Sequence, residues 1–129
     1  RQVDIELRMP NEVIGIALSA PLFSWVIENM IKNAVDAMSG KGKITIELKE
    51  KGSYAVIDIT DTGKGIPKGK MRDIFRPGYS TKTRGWGLGL SLAKRIIEKY
   101  HKGKISVKQS EPGIGTTFRI LLPKQADLP

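Results

Sequence analysis

Cysteine is absent from this 129-residue chain, which rules out a disulfide framework and a thiolate metal site and points to a reducing compartment. Long apolar runs are absent as well. Nothing approaches the roughly 20 residues that cross a bilayer, and the opening RQVDIELRMP alternates like a strand instead of reading as a signal peptide. The expectation is a soluble, cytoplasmic domain without membrane contact, and its strand pattern starts with so little lead-in that it reads as cut from something longer. Histidine occurs only as His101, after a helical pattern in EKYHKGK, where an exposed or C-capping role is expected. Aromatics make up 6% of the chain, and in its basic stretch Phe75, Tyr79 and Trp86 share no regular spacing, a poor pattern for stacking bases. No repeat or low-complexity tract occurs. The length suits one domain, residues 1–129, able to bury about two thirds of its extended surface.

Positive charge is in excess, with a net charge of +9. Its distribution says more than its size. Up to Thr60 there are seven basic residues against eight acids, so the surplus lies later. Lys64, Lys68, Lys70, Arg72, Arg76, Lys82 and Arg84 fall in one stretch whose sole acid is Asp73, either a solvated loop or a local cationic field aimed at an anion. Nucleic acid is not the expected partner.

The pattern along the chain alternates strands and helices. VDIELRM and EVIGIAL flank the turn PN and are expected as a hairpin. A helix follows, capped by Ser19, with Pro21 in its first turn and apolar rows Leu22, Val26, Met30, Ala34 and Phe23, Ile27, Ile31, Val35, ended by SGKGK. ITIELKEKGSYAVIDIT reads as a second hairpin. Periodicity then fails from Lys68 to Arg84, apart from one possible helical turn near Met71 to Phe75. GLSLAKRIIEKY restores a helix, and KISVKQS and TTFRILL give two more strands around EPGIG. This order predicts an α/β two-layer sandwich, a mixed sheet with its helices on one face.

Three features carry chemistry. The first helix has a polar stripe at Asn29, Asn33 and Asp36, spaced four and three apart on one side. At the margin of a core such groups need partners, from backbone, water or a ligand. Amide oxygens with retained water suit a hard Mg²⁺. The second feature is DTGKGIP after a strand, where Gly63 and Gly65 allow close approach and Asp61 can accept from an exocyclic amine. The third is GWGLGL, where Gly85, Gly87 and Gly89 lead into a helix and leave amide N–H groups free to meet an anion. It is neither the Rossmann fingerprint nor a P-loop.

Taken together and in order, ENMIKNAVDAM, DTGKGIP, IFRPGYSTK, GWGLGLSLAKRII and GIGTTFRILLP resemble the five boxes of the ATP-binding catalytic domain of sensor histidine kinases, over Glu28 to Pro123. The resemblance implies the Bergerat ATP-binding fold shared with gyrase- and Hsp90-type ATPases, with ATP and Mg²⁺ as cofactors. On the matching positions it implies Asn29 and Asn33 at the metal, Asp61 at the adenine amine, Gly63 and Gly65 around the base, and Thr116 beside the same edge. It further implies Gly87, Leu88 and Gly89 at the phosphates and a mobile lid from Lys68 to Arg84 that brings Arg76 and Lys82 to them. Asp36, Ile66, Tyr79 and Leu90 complete the nucleotide-binding set.

Two positions depart from the family pattern. Asp36 and Ala37 stand where many members have a Lys and an aromatic, which leaves Lys82 as the candidate phosphate cation. The ATPases carry a water-activating Glu at the Asn29 position, whereas here Glu28 precedes it, about 100° around the helix, placed to orient or deprotonate a protein nucleophile. With Glu28, Asn29 and Lys82 as the catalytic candidates, the implied reaction is transfer of the ATP γ-phosphoryl group to a histidine. The implied partners are an N-terminal dimerisation and phosphoacceptor domain of the parent protein and a downstream response regulator. A Bergerat ATPase or an anti-sigma-type serine kinase is the alternative.

Overall fold

The structure, a computed structural model, describes residues 2–11, 14–78 and 89–125. Among these are five strands, β1 (Val3–Arg8), β2 (Gly42–Lys51), β3 (Tyr54–Asp61), β4 (Lys104–Glu111) and β5 (Gly115–Pro123), and two α-helices, α1 (Ala20–Ala37) and α2 (Gly89–Arg95). The strands form one sheet in the order β1-β2-β3-β5-β4, with β1 parallel to β2 and every other pair antiparallel. This is the predicted mixed sheet with helices on one face, with one correction to its entry. EVIGIAL is not a strand over its described residues, Ile14 to Leu18, and β1 pairs with β2 instead of folding back on it. A parallel pair requires a crossover of a dozen or more residues, and α1 is that crossover. The intervening segment lays Ile16 against the core, and the Gly15 carbonyl accepts the Gln125 N–H at 2.7 Å.

Register sorts the faces. Leu48, Ile57, Ile120 and Ile105 lie across from one another in one row, and Ile46, Ile59, Phe118 and Val107 in the next. These rows meet the stripe of α1 that holds Val26, Met30 and Ala34, all buried, together with Ala93 and Ile97 from the second helix. Each such aliphatic side chain gains about 1.5–3 kcal/mol on burial. The following row comprises Ile44, Asp61, Thr116 and Ser110. The helix-facing surface of the sheet thus turns polar at its last rung.

α1 starts where expected, yet Ser19 makes no side-chain cap bond. Its N–H donates to His101 Nε2 at 3.1 Å. At the other end, Gly40 at φ 78° gives its N–H to the Val35 carbonyl at 2.9 Å, a left-handed stop that glycine favours. α2 continues through a π-helical turn, Ile96–Tyr100, to His101. That histidine is buried and not exposed. Its Nδ1 lies 3.0 Å from the Ile96 carbonyl, so Nδ1 carries the proton and Nε2 accepts, and the ring meets Phe23 edge-on. The capping expectation holds in this form, because the ring joins the end of one helix to the start of the other.

The aperiodic segment is described as far as Gly78. It contains a 3-10 turn at Asp73–Phe75, where Ile74 is buried and Phe75 packs edge-on against Phe118 at 6.2 Å between ring centres. The first half of the expected lid is therefore anchored in the core.

Candidate functional site

The polar row of the sheet ends beside the last turn of α1, where Gly63 stands against the Ala37 carbonyl. Asp61, at the end of β3, is buried, and its Oδ1 accepts the Gly63 N–H at 2.8 Å. Burial pushes its carboxyl above the usual carboxylate range, against the Gly63 and Thr116 N–H groups that hold it down. Thr116, directly across on β5, is buried too, and its Oγ1 lies 2.8 Å from Ser110 Oγ. Ser110 also accepts the Ile66 N–H at 2.8 Å, so the glycine segment, β4 and β5 share one hydroxyl. The sequence reading missed Ser110. Strict alternation from Ile105 and Val107 puts Gln109 on the core face, but the ladder shifts by one residue between Val107 and Gln109 and brings Ser110 there instead. Its signal was the serine just before the EPGIG turn, facing a threonine on the partner strand. Asp61, Ser110 and Thr116 line a cavity of about 320 Å³.

The glycines of DTGKG first serve the contact of chain with chain. A methyl on Gly63 would stand 2.7 Å from the Ala37 carbonyl, and Lys64 gives its N–H to that same carbonyl at 2.9 Å, satisfying a free group at the end of α1. Gly65, at φ 79°, leaves no room for a side chain beside the Glu111 carbonyl, and Gly113 donates to the Lys64 carbonyl at 2.8 Å. These contacts fix the angle at which Asp61 is presented.

Asn29 and Asn33 are half-buried on α1, and the amide nitrogens of both are fully buried. Asn29 lies against Gly89 at the start of α2, where a methyl would come within 2.8 Å of Nδ2. Among the described residues Asn29 Nδ2 has no hydrogen-bond partner. A buried unpaired donor costs about 1–3 kcal/mol. Ile66 and Leu90 pack against the core nearby in sequence to Gly65 and Gly89. The other expected residues behave differently. Glu28 and Asp36 are exposed, so the third member of the polar stripe does not join the two asparagines in the interior. Arg76 is turned to Asp73 at 3.1 Å. Tyr79, Lys82, Gly87 and Leu88 lie outside the described residues. No cluster of three or more histidine or carboxylate side chains able to hold a metal occurs among the described residues, so a cation here would depend on amide oxygens and water.

Residues 20–126 match the model of the histidine kinase-, DNA gyrase B- and HSP90-like ATPase family. The chain belongs to this family. Among curated relatives of this ATPase family it is 42% identical over 102 residues to sporulation kinase C of Bacillus subtilis, covering 79% of this chain and 23% of that protein. It is 41% identical over 123 residues to the signal transduction histidine-protein kinase AtoS of Escherichia coli, covering 95% of this chain and 20% of that protein. The chain thus spans about a fifth to a quarter of the length of these relatives. Among solved structures the catalytic domain of histidine kinase ThkA superposes with a TM-score of 0.83 at 31% identity, over 95% of this chain and 79% of that one. A structure of ThkA with the response regulator TrrA matches at a TM-score of 0.79 and 28% identity, over 95% of this chain and 34% of that one. The Bergerat fold expected from the motifs is the fold of these neighbours.

Proposed function

We propose that the chain is the catalytic domain of a longer sensor histidine kinase, a single domain that binds Mg-ATP between α1, the DTGKG segment and the start of α2. In this reading it passes the γ-phosphoryl group to a histidine on a dimerisation domain of its parent, from which a response regulator takes it. The observation that carries the reading is the buried amide of Asn29, without a partner among the described residues and pressed against Gly89, a donor for a phosphate oxygen in this reading. Asp61 accepts from the adenine amine, and Thr116, tied through Ser110 to the Ile66 backbone, holds the adjacent edge. The side-chain oxygens of Asn29 and Asn33 would hold Mg²⁺ together with water, and the chemistry it would supply when bound is neutralisation of phosphate charge. Lys82 supplies the lid cation. Glu28, exposed on α1, orients the incoming histidine or takes its proton.

His101 does not serve as the acceptor. Its Nδ1 and Nε2 are both engaged, by the Ile96 carbonyl and the Ser19 N–H, and the ring is buried between the helices. Transfer requires a nucleophile about 3–3.5 Å from phosphorus, which a separate domain must bring. The reading puts this domain in the cytoplasm; separately, no helix among the described residues is long and apolar enough to cross a membrane.

Radiolabelled ATP with acid-labile product detection tests the reading. The chain alone should bind ATP and scarcely label itself, then phosphorylate the parent's histidine-bearing hairpin in trans, and Asn33→Ala should abolish transfer. Rapid labelling of the isolated chain that disappears in His101→Ala would overturn it.

A further inference from the structure

Away from the nucleotide site, a second cavity of about 450 Å³ opens beside β4, and it shares no lining residue with the first. One wall is Met71, Arg72 and Phe75, from the segment that packs on the core. Lys94 of α2 contributes to the rim, and the other wall is Ile105, Ser106 and Val107. Three consecutive residues of a strand cannot all turn their side chains to one hollow. They line it together because β4 is the last strand of the sheet and its backbone edge forms the wall. A groove of this kind offers unpaired N–H and C=O groups next to apolar pockets, the arrangement that takes an added strand.

The chemistry of the surroundings selects the occupant. Arg72 is exposed and has no ion pair among the described residues, and Lys68, Lys70 and Lys104 are exposed nearby in the chain. Lys94 is shared between Glu98 at 2.9 Å and the face of Phe75 at 6.0 Å. Acids in the same elements are Asp73, paired with Arg76, Glu98, paired with Lys94, and Glu111 at the far end of β4 beyond the register shift. The register shift after Val107 interrupts the ladder, which leaves Lys104 to Val107 as the usable edge. Lysines and bulges on an edge discourage pairing with another basic edge, including a second copy of this chain. They favour a partner of opposite sign.

We propose that this groove is a docking site for an extended, acidic segment of a partner protein. The segment adds by main-chain hydrogen bonds to Lys104–Val107, seats an apolar side chain among Met71, Phe75 and Val107, and turns its carboxylates to Arg72 and Lys94. None of the residues lining the groove is assigned to the nucleotide in the catalytic reading, so it stands or falls separately from that reading.

The test is an amide-resonance titration of the ¹⁵N-labelled chain, without nucleotide, with the peptide Asp-Val-Glu-Phe-Glu-Val-Asp and with its counterpart bearing Lys at each acidic position. Shifts confined to residues 71–75 and 104–107 are expected for the acidic peptide alone. Arg72→Glu should weaken it by roughly fivefold to tenfold, and Val107→Asp should do likewise while the spectrum stays dispersed. Equal binding of the lysine peptide, shifts spread along the basic stretch without β4, or no shift at millimolar peptide would overturn the proposal.

Discussion

Asn29 and Asp61 both hold polar atoms in the interior at some cost to the empty protein, and each cost has a measurable sign. Replacing Asn29 by Ala removes a buried donor that has no partner among the described residues. The nucleotide-free chain should therefore melt at the same temperature or higher, while its affinity for ATP falls; a lower melting temperature with unchanged affinity would make Asn29 a packing residue. At Asp61, the change to Asn can turn a donor toward the adenine amine, and ADP binding should weaken by about 1–3 kcal/mol in titration calorimetry. Equal affinities would remove Asp61 from the base pocket. Ser110 teaches a further point at this scale. Its neighbours in sequence place it on the solvent face, and only the extra residue in β4 turns it inward to Thr116 and Ile66.

Between elements, glycine decides how closely chains approach, and two glycines should respond in opposite ways. Gly63→Ala drives a methyl into the backbone at the end of α1, which cannot yield cheaply, so a loss of roughly 1–3 kcal/mol in chemical denaturation is expected. Gly89→Ala meets the side chain of Asn29 instead. Its stability should change little and its ATP affinity should fall. The helix-to-helix tie is of another kind. His101→Ala leaves the Ser19 N–H without its partner, removes the ring N–H from the Ile96 carbonyl and empties a ring's volume beside Phe23, which should cost about 2–4 kcal/mol. Phosphoryl transfer per folded molecule should survive. Loss of transfer in fully folded protein would return His101 to the chemistry.

Across the whole molecule, two buried aspartates on β3 give stability opposite dependences on pH. Asp58, on the sheet face away from the helices, is raised by burial but lowered further by its bidentate bond to Arg119, both contacts 2.8 Å, and by the charges of Lys108 and Lys49, so it lies below the usual range. Its contribution is present above the unfolded value of about 3.9 and is lost as pH falls through the lowered one. Asp61 lies above the usual range, so its contribution is lost as pH rises through that raised value. Melting temperatures between pH 3 and 7 should show Asp58→Asn least stable at neutral pH and less sensitive to acid. In the nucleotide-free state, Asp61→Asn should lose less stability than the parent chain between pH 4 and 7. The reverse pattern would mean that the charges are distributed otherwise. Local pattern alone determined much of this protein. The helical rows of α1, the hairpin of β2 and β3 and the turn after Met38 follow from side-chain period and backbone freedom, which act between near neighbours. The motif order also marked the asparagine pair and Asp61. Tertiary structure decided the rest, because it depends on residues far apart in sequence. It set β1 beside β2 across a helix, turned Ser110 inward, spent Gly63 and Gly65 on contacts with Ala37 and Glu111, and buried His101 between helix ends, since a sheet edge, a bulge and a buried hydrogen bond exist only once distant segments meet.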